Sequence, residues 1–417
     1  MLIISSLILI ISYIFIAQEK IPKVTVAMLG AATMLFIQRV PAKTVFAHID
    51  FSVIFLLISM MIIVHITARS GVFKWIAFEM IKKTQGNPKW ILFSIGLFTA
   101  VFSAFLDNVT TVVLILPVIF AISKKMELNP IPLLITTILT SNIGGAATLI
   151  GDPPNIIIGS AAGLSFMDFI RELSFVIILI FTVSIPILIT MFKKDLIYTV
   201  KHKEIINEID NNNSIKDKNL MIRSTIILGL VILGFILHDF IHIDAYIIAT
   251  LGASVLMLFE SPKQVIHEVE WSTIFFFVAL FLIVGGFAEA GGIEYLANLM
   301  LKITGGNQKI TTMVILWASG FFSAIVDNIP FTATMVPMIQ TLKTSMDVYP
   351  LWWALSLGAC LGGNATIIGA AANVIVIEAA NARGYKISFW KFMKYGIIIT
   401  VISLIISSIY LYYRFLV

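Results

Sequence analysis

Long apolar runs, cut by short polar turns, fill nearly the whole chain. They fall at 2–17, 24–38, 51–68, 90–106, 109–122, 131–163, 173–192, 224–237, 243–259, 272–288, 311–326, 331–342, 350–380 and 395–413. Several are shorter than the ~20 residues that cross a hydrocarbon core as one helix. The first run, "MLIISSLILIISYIFIAQEK", has no basic segment before it and no small-residue cleavage site after it, so it is expected to stay as a membrane helix. One long polar stretch, Lys193 to Arg223, reads as a soluble linker between two halves.

The halves answer each other. "IDFS" (49–52) corresponds to "VEWS" (269–272), Gly86-Asn87 to Gly306-Asn307, Asp107-Asn108 to Asp327-Asn328 and Pro117 to Pro337, all at an offset of 220. "GGAATLIGDPPN" (144–155) corresponds to "GGNATIIGAAAN" (362–373) with 7 of 12 identities at an offset of 218, and "MLGA" (28–31) to "TLGA" (250–253). A repeat of this length is too long for a solenoid unit. It is the internal symmetry of a secondary transporter.

Charge gives the sense of the repeat. Arg69, Lys74, Lys82, Lys83 and Lys89 follow the run at 51–68, whereas only Lys302 and Lys309, with Glu289 and Glu294, follow 272–288. The positive-inside rule then puts the first stretch in the cytoplasm and the second outside. If 90–122 and 311–342 return to their own side, Lys124, Lys125, the linker and the Arg383–Lys394 segment all fall inside. Two ordinary helices in place of each hairpin would leave the same loop signs. The expected fold is an all-α polytopic membrane protein of two inverted repeats, with about ten transmembrane helices, two re-entrant hairpins and two broken helices. The first repeat is 1–192 (hairpin 90–122, broken helix 131–163) and the second 224–417 (hairpin 311–342, broken helix 350–380). The linker 193–223 is expected in the cytoplasm and both termini outside.

Two polar constellations interrupt this apolar frame. Asp107-Asn108 and Asp327-Asn328 sit inside apolar runs, where an ionised Asp costs at least ~2.5–3.5 kcal/mol. Each Asp could simply cap the helix that follows it, but Ser or Thr would cap without a charge. Recurrence at one equivalent place favours an ion or proton site. The second constellation, "TSNIGGAATLIGDPPNIIIG" (140–159), cannot be one helix: Gly144-Gly145, Gly151 and Pro153-Pro154 break it. A break frees carbonyls at one half-helix end and N–H groups at the other, and Asn142, Thr148 and Asn155 lie beside it. The partner "LGGNATIIGAAAN" (361–373) offers Gly362, Gly363, Asn364, Thr366 and Asn373, with no proline and no acid, so Asp152 has no symmetric mate. Gly-Gly pairs alone would mean only close helix packing. An alkali cation held by Asp107, Asn108, Asp327 and Asn328, with Asp107 and Asp327 trading protons, is the chemistry these residues suggest. His65 on its apolar helix reads as a packed structural histidine, and Glu289 and Glu378 as interfacial.

"SAFLDNVTT", "SNIGGAATLIGDPPN" and "SAIVDNIPFTATMVP" resemble the ArsB/NhaD branch of the ion transporter superfamily, the group with the citrate-transporter-like domain, and within it the P-protein (pink-eyed dilution) type. The resemblance covers almost the whole chain. It implies a hairpin and a broken helix from each repeat meeting at the substrate, an elevator movement of a transport core against a scaffold, and a homodimer. In the related dicarboxylate/sodium symporters Ser-Asn-Thr marks each tip. Here Asp107-Asn108-Val109-Thr110 and Asp327-Asn328-Ile329-Pro330 stand there, the Thr of the second lost but with Thr332 two residues on, and the added negative charge, with no Lys or Arg expected in the site to compensate, argues against a di- or tricarboxylate substrate.

Composition narrows the classes. The chain of 417 residues is 59% hydrophobic and 12% charged, with mean hydropathy +1.01, against about 25% charged in soluble domains. This makes it a multi-pass membrane protein, of the cell membrane if prokaryotic, with the lipid bilayer as its surroundings. The net charge of +5 lies mostly in loops and does not call for nucleic acid. The single Cys360 forbids an internal disulfide. No GxxxxGK[ST] loop is present, so the chain does not itself hydrolyse ATP, which leaves room for a partner ATPase. Not an enzyme but a secondary active transporter of a small inorganic ion is expected, by proton- or sodium-coupled antiport, needing no cofactor beyond a bound Na⁺ or H⁺. The alternatives are arsenite or another anion moved on the same scaffold, with half-helix N-termini as its cradle, and a passive channel. An intramembrane aspartyl protease is remote, since it needs two nonequivalent catalytic helices.

Overall fold

The structure is a computed structural model that describes residues 1–417 except Glu19, 40–43, 45 and 208–213. The 208–213 part of the expected linker therefore lies outside the described residues. Among those described, no residue is in a β-strand. Eight helices are long and apolar enough to cross a membrane: Phe51–Arg69, Pro88–Phe105, Asn108–Lys125, Phe166–Met191, Lys218–His238, Trp271–Glu289, Gln308–Val326 and Phe389–Leu416. The shorter apolar helices Leu2–Gln18, Lys23–Gln38 and Ala245–Met257 complete the frame.

Six helices form a scaffold in which the halves exchange partners. Leu2–Gln18 and Lys23–Gln38 pack on Trp271–Glu289 of the other half, and Lys218–Ile241 and Ala245–Met257 pack on Phe51–Arg69 of the first. Ion pairs fix the corresponding ends with opposite polarity: Arg69 meets Glu260 and Glu268, whereas its counterpart Glu289 meets His48. Two amphipathic helices, Val72–Lys82 and Gly292–Thr304, link scaffold to hairpins; the sequence reading took them for charged loops. Each starts after a left-handed glycine, Gly71 (φ 88°) and Gly291 (φ 81°).

The hairpins are real turns of the chain. Pro88–Phe105 and Asn108–Lys125 meet at Leu106-Asp107, and Gln308–Val326 and Asn328–Leu342 at Asp327 alone. The open ends of the second are tied together, since Gln308 Nε2 donates to the Asp347 carbonyl at 3.2 Å. Both ends of the first lie on the linker: Gly86 abuts His202, and Asn129 Nδ2 donates to Asp195 Oδ1 at 2.9 Å. The seven steps from Asp195 to His202 reach at most ~25 Å, short of a ~30 Å hydrocarbon core. The first hairpin thus leaves and returns on one face.

The broken helices are Ile131–Gly145 with Pro153–Ala162, and Tyr349–Gly362 with Ala371–Asn381, the latter bridged by a single 3₁₀ turn, Ile367–Gly369. Pro153 and Pro154 open the second segment, where a missing N–H costs nothing, rather than interrupting a helix. Gly144 and Gly362 let the first segments touch hairpin backbone. A Cβ on Gly144 would come within 2.0 Å of the Ala100 carbonyl oxygen, and one on Gly362 within 2.5 Å of that of Gly320. Gly144→Ala is therefore expected to destabilise by about 1–3 kcal/mol or more, read as a lower melting temperature and less protein in the membrane. A melting temperature equal to wild type would refute the contact.

Candidate functional site

The two tips converge on one carboxylate, and it is Asp152. This side chain is fully buried (0% exposed). It stands at the N-cap position of Pro153–Ala162, yet its carboxylate makes no capping bond. Asn108 Nδ2 of the first tip donates to its Oδ1 at 3.2 Å, and Asn328 Nδ2 of the second donates to Oδ1 and Oδ2, both at 3.1 Å. No Lys, Arg or His among the described residues bonds it. Asp107 and Asp327 lie near enough to act on it electrostatically.

An amide chain extends this contact across both halves. Asn108 Nδ2 also reaches Asn142 Oδ1 at 3.2 Å, and Asn142 Nδ2 donates to Asn364 Oδ1 (2.9 Å) and Asn373 Oδ1 (3.1 Å). Asn364 Nδ2 donates to the Leu139 carbonyl at 3.1 Å. All of these residues are buried.

The other expected site residues hold the breaks in shape. Asn155 Nδ2 donates to the Ala146 and Thr148 carbonyls at 3.3 and 2.9 Å, and Asn373 Nδ2 to those of Gly363 and Thr366 at 2.7 and 2.8 Å. These amides satisfy carbonyls that the break frees. The Thr148 hydroxyl donates to the Ala104 carbonyl and that of Thr366 to Ala324, stapling each break to its own hairpin. Thr332 bonds back to the Asn328 carbonyl at 2.7 Å, and Thr110 gives its backbone N–H to Asp107. Gly145 and Gly363 let the strand across each break pass close, beside Gly151 and Gly369.

The tip carboxylates do cap. Asp107 Oδ1 accepts from Thr110 N at 2.8 Å and Asp327 Oδ1 from Ile329 N at 3.1 Å. They are otherwise unlike. Asp107 is half-buried, whereas Asp327 is buried and its Oδ2 lies 3.3 Å from Lys23 Nζ. This corrects the expectation of a site without a basic residue. Lys23 opens the helix after a short turn, and nothing in its local sequence signals a partner 304 residues away. Sequence reasoning also passed over Ser103, whose hydroxyl is buried without a partner while that of its counterpart Ser323 bonds the Ala359 carbonyl. It passed over Glu270 too. Burial, then the Asp107 charge, push that carboxyl, just ahead of Trp271–Glu289, above the ordinary range. His65 is half-buried with Nε2 unpartnered, Glu289 pairs with His48 at 2.9 Å, and Glu378 is exposed. Among the described residues no three His, Cys, Asp or Glu gather as a metal-chelating group.

The sequence pattern described as "Citrate transporter" matches residues 13–358. The chain belongs to the citrate transporter family. Relatives in this family include a "46 kDa membrane protein" of Mycobacterium leprae, 39% identical over 429 residues and 100% of both chains. An "uncharacterized transporter" of Mycobacterium tuberculosis is 38% identical over 416 residues, 97% of each. The P protein of Mus musculus is 32% identical over 487 residues, covering 96% of this chain and 58% of that protein, in line with the resemblance carried by "NIGGAATLIGDPPN". Among solved structures, the YdaH transporter of Alcanivorax borkumensis, described as having an unusual topology, matches with TM-score 0.59 at 14% identity, covering 88% of this chain and 86% of that one; this likeness concerns the fold. This member of the citrate transporter family is thus an integral multi-pass membrane transporter.

Proposed function

We propose that the protein is a secondary active transporter of small cations, coupled to protons or sodium by exchange, working through an elevator movement of a core against the six-helix scaffold. The observation that carries this reading is Asp152: a fully buried carboxylate with no basic partner among the described residues, gripped by one amide from each tip. Such a group is costly as a bare charge. It is relieved by a proton or a small cation, and the two are mutually exclusive. Asp107 and Asp327 stand beside it as further carboxylates, and with Asn108 and Asn328 supply the remaining oxygens for an alkali cation. The core is the pair of hairpins, the pair of broken helices and the flanking helices Phe166–Met191 and Phe389–Leu411. A cavity of about 270 Å³ between Ser52–Leu56 of the scaffold and Leu149–Phe166 of the core leaves part of their boundary loosely filled. The Lys/Arg-rich face that carries the linker is placed in the cytoplasm, both termini lie outside, and two copies pair through scaffolds.

An anion such as arsenite or citrate is the second reading, favoured by the description of the family. The first break argues against it. Pro153 and Pro154 remove two N–H donors from the helix terminus that would cradle an anion, and Asp152 puts a negative group there.

Proteoliposomes with an internal pH dye and an imposed Na⁺, Li⁺ or K⁺ gradient test the proposal. Cation entry is expected to drive proton exit and to stop when the counter-gradient is removed. Flux that continues without any counter-ion would mean a channel, and arsenite or citrate flux with no cation response would favour the anion reading.

A further inference from the structure

The two hairpin tips are treated differently by the scaffold. The second is held by the N-terminal helix pair. Lys23 Nζ lies 3.3 Å from Asp327 Oδ2, and Tyr13 OH donates to the Pro330 carbonyl at 2.8 Å and lies 2.7 Å from Thr334 Oγ1. Lys23 is braced by the face of Phe276, 5.0 Å away on the scaffold helix Trp271–Glu289, and lies within electrostatic reach of Glu270. Among the described residues the first tip has no such hold. At the 222-residue offset that aligns "MLGA" with "TLGA", the counterparts of Tyr13 and Lys23 are Phe235 and Ala245, neither of which can bond a tip.

The backbone carries the same asymmetry. Asp107 has an ordinary extended conformation (φ −64°, ψ 154°), whereas Asp327 has φ 99° and ψ 142°, a region nearly closed to side chains other than glycine. Such a conformation persists only where its surroundings hold it. What holds Asp327 is the bond to Ile329 N and the ion pair to Lys23, and the second of these joins the core to the scaffold.

We propose that Lys23 is a tethered counter-cation that neutralises Asp327 in the empty transporter, latches the second tip to the scaffold, and is displaced by the transported cation. This rests on the cation reading given above. A cation drawn to Asp327 and Asp152 meets the ammonium already there, so binding the one weakens the other by the same factor. Because the pair bridges two bodies that move past each other, the core is freed when its site is filled and held when it is empty.

The test is a thermal melt of the purified full-length protein against Na⁺ and, separately, Li⁺ and K⁺. Lys23→Met is expected to lower the Na⁺ concentration for half-maximal stabilisation about tenfold, the ratio equivalent to ~1.4 kcal/mol of removed competition. Lys23→Arg restores the wild-type midpoint. Tyr13→Phe, which cuts an uncharged tie to the same tip, lowers the melting temperature but moves the midpoint by no more than about twofold. A purely structural lysine would change the melting temperature and leave every midpoint in place, and that result in Lys23→Met overturns the latch while the cation reading stands. A wild type indifferent to all three cations overturns the cation reading and the latch with it. If Lys23→Met proves too unstable to purify, Lys23→Gln, which keeps most of the length and a polar end, reads the same shift.

Discussion

Asp152→Asn is expected to lower coupled transport by at least about 100-fold and to leave a protein that melts no lower than wild type. The two halves of this result have one cause. Asp152 is a buried carboxylate whose described neighbours, the Asn108 and Asn328 amides and the Cys360 thiol, bring no positive charge. A buried charge of this kind weakens the fold, and the isosteric amide removes it while filling the same space. The same change removes the acidic oxygens that, among the described residues, both tips grip, so neither a proton nor a cation can be exchanged there. A helix cap would behave otherwise. Asn caps as well as Asp, and at this N-cap position no side-chain capping bond exists to lose. Dye-monitored flux and a melt on one preparation check both parts. Native flux in Asp152→Asn, or a clear fall in melting temperature with flux retained, would refute the assignment.

Asn328→Ala should come next in severity, ahead of Asn108→Ala. Asn328 reaches both carboxylate oxygens of Asp152, whereas Asn108 reaches one and divides its amide between Asp152 and Asn142. Removing a donor from a buried carboxylate costs about 1–3 kcal/mol, so Asn328→Ala is expected to lower both stability and flux. The loss belongs to the exposed partner rather than to the missing contact. The double variant Asn328→Ala with Asp152→Asn should therefore recover the melting temperature of Asp152→Asn alone, without recovering flux. Simple addition of the two single effects would show that Asn328 does not act through Asp152.

The repeat made much of this legible in advance. Duplicated Gly-Asn, Asp-Asn and Gly-Gly pairs marked where helices end, because turns and breaks need particular residues and the repeat states each of them twice. The centre of the site was harder to see, because symmetry pointed away from it. At the 218-residue offset Asn142 corresponds to Cys360 and Asp152 to Ala370, so the two residues at the centre of the site have no symmetric mates. The bond from Asn328 to Asp152 joins residues 176 apart in different repeats, and no local spacing encodes it. Lys23 was invisible for the same reason. The helices Val72–Lys82 and Gly292–Thr304 escaped because their apolar residues form a stripe on one side (Phe73, Ala77 and Ile81 in the first) and not the continuous run by which membrane segments are recognised.

The exchanged packing of the scaffold has a consequence for how such a chain must be assembled. Phe51–Arg69 is covered by helices that begin at Lys218 and Ala245, and Trp271–Glu289 by helices made at the very start. During synthesis the first half therefore lacks most of the cover of its main scaffold helix until the second half is made. Each half supplies what the other cannot bury by itself, so neither half is expected to hold its scaffold helix in place when made alone.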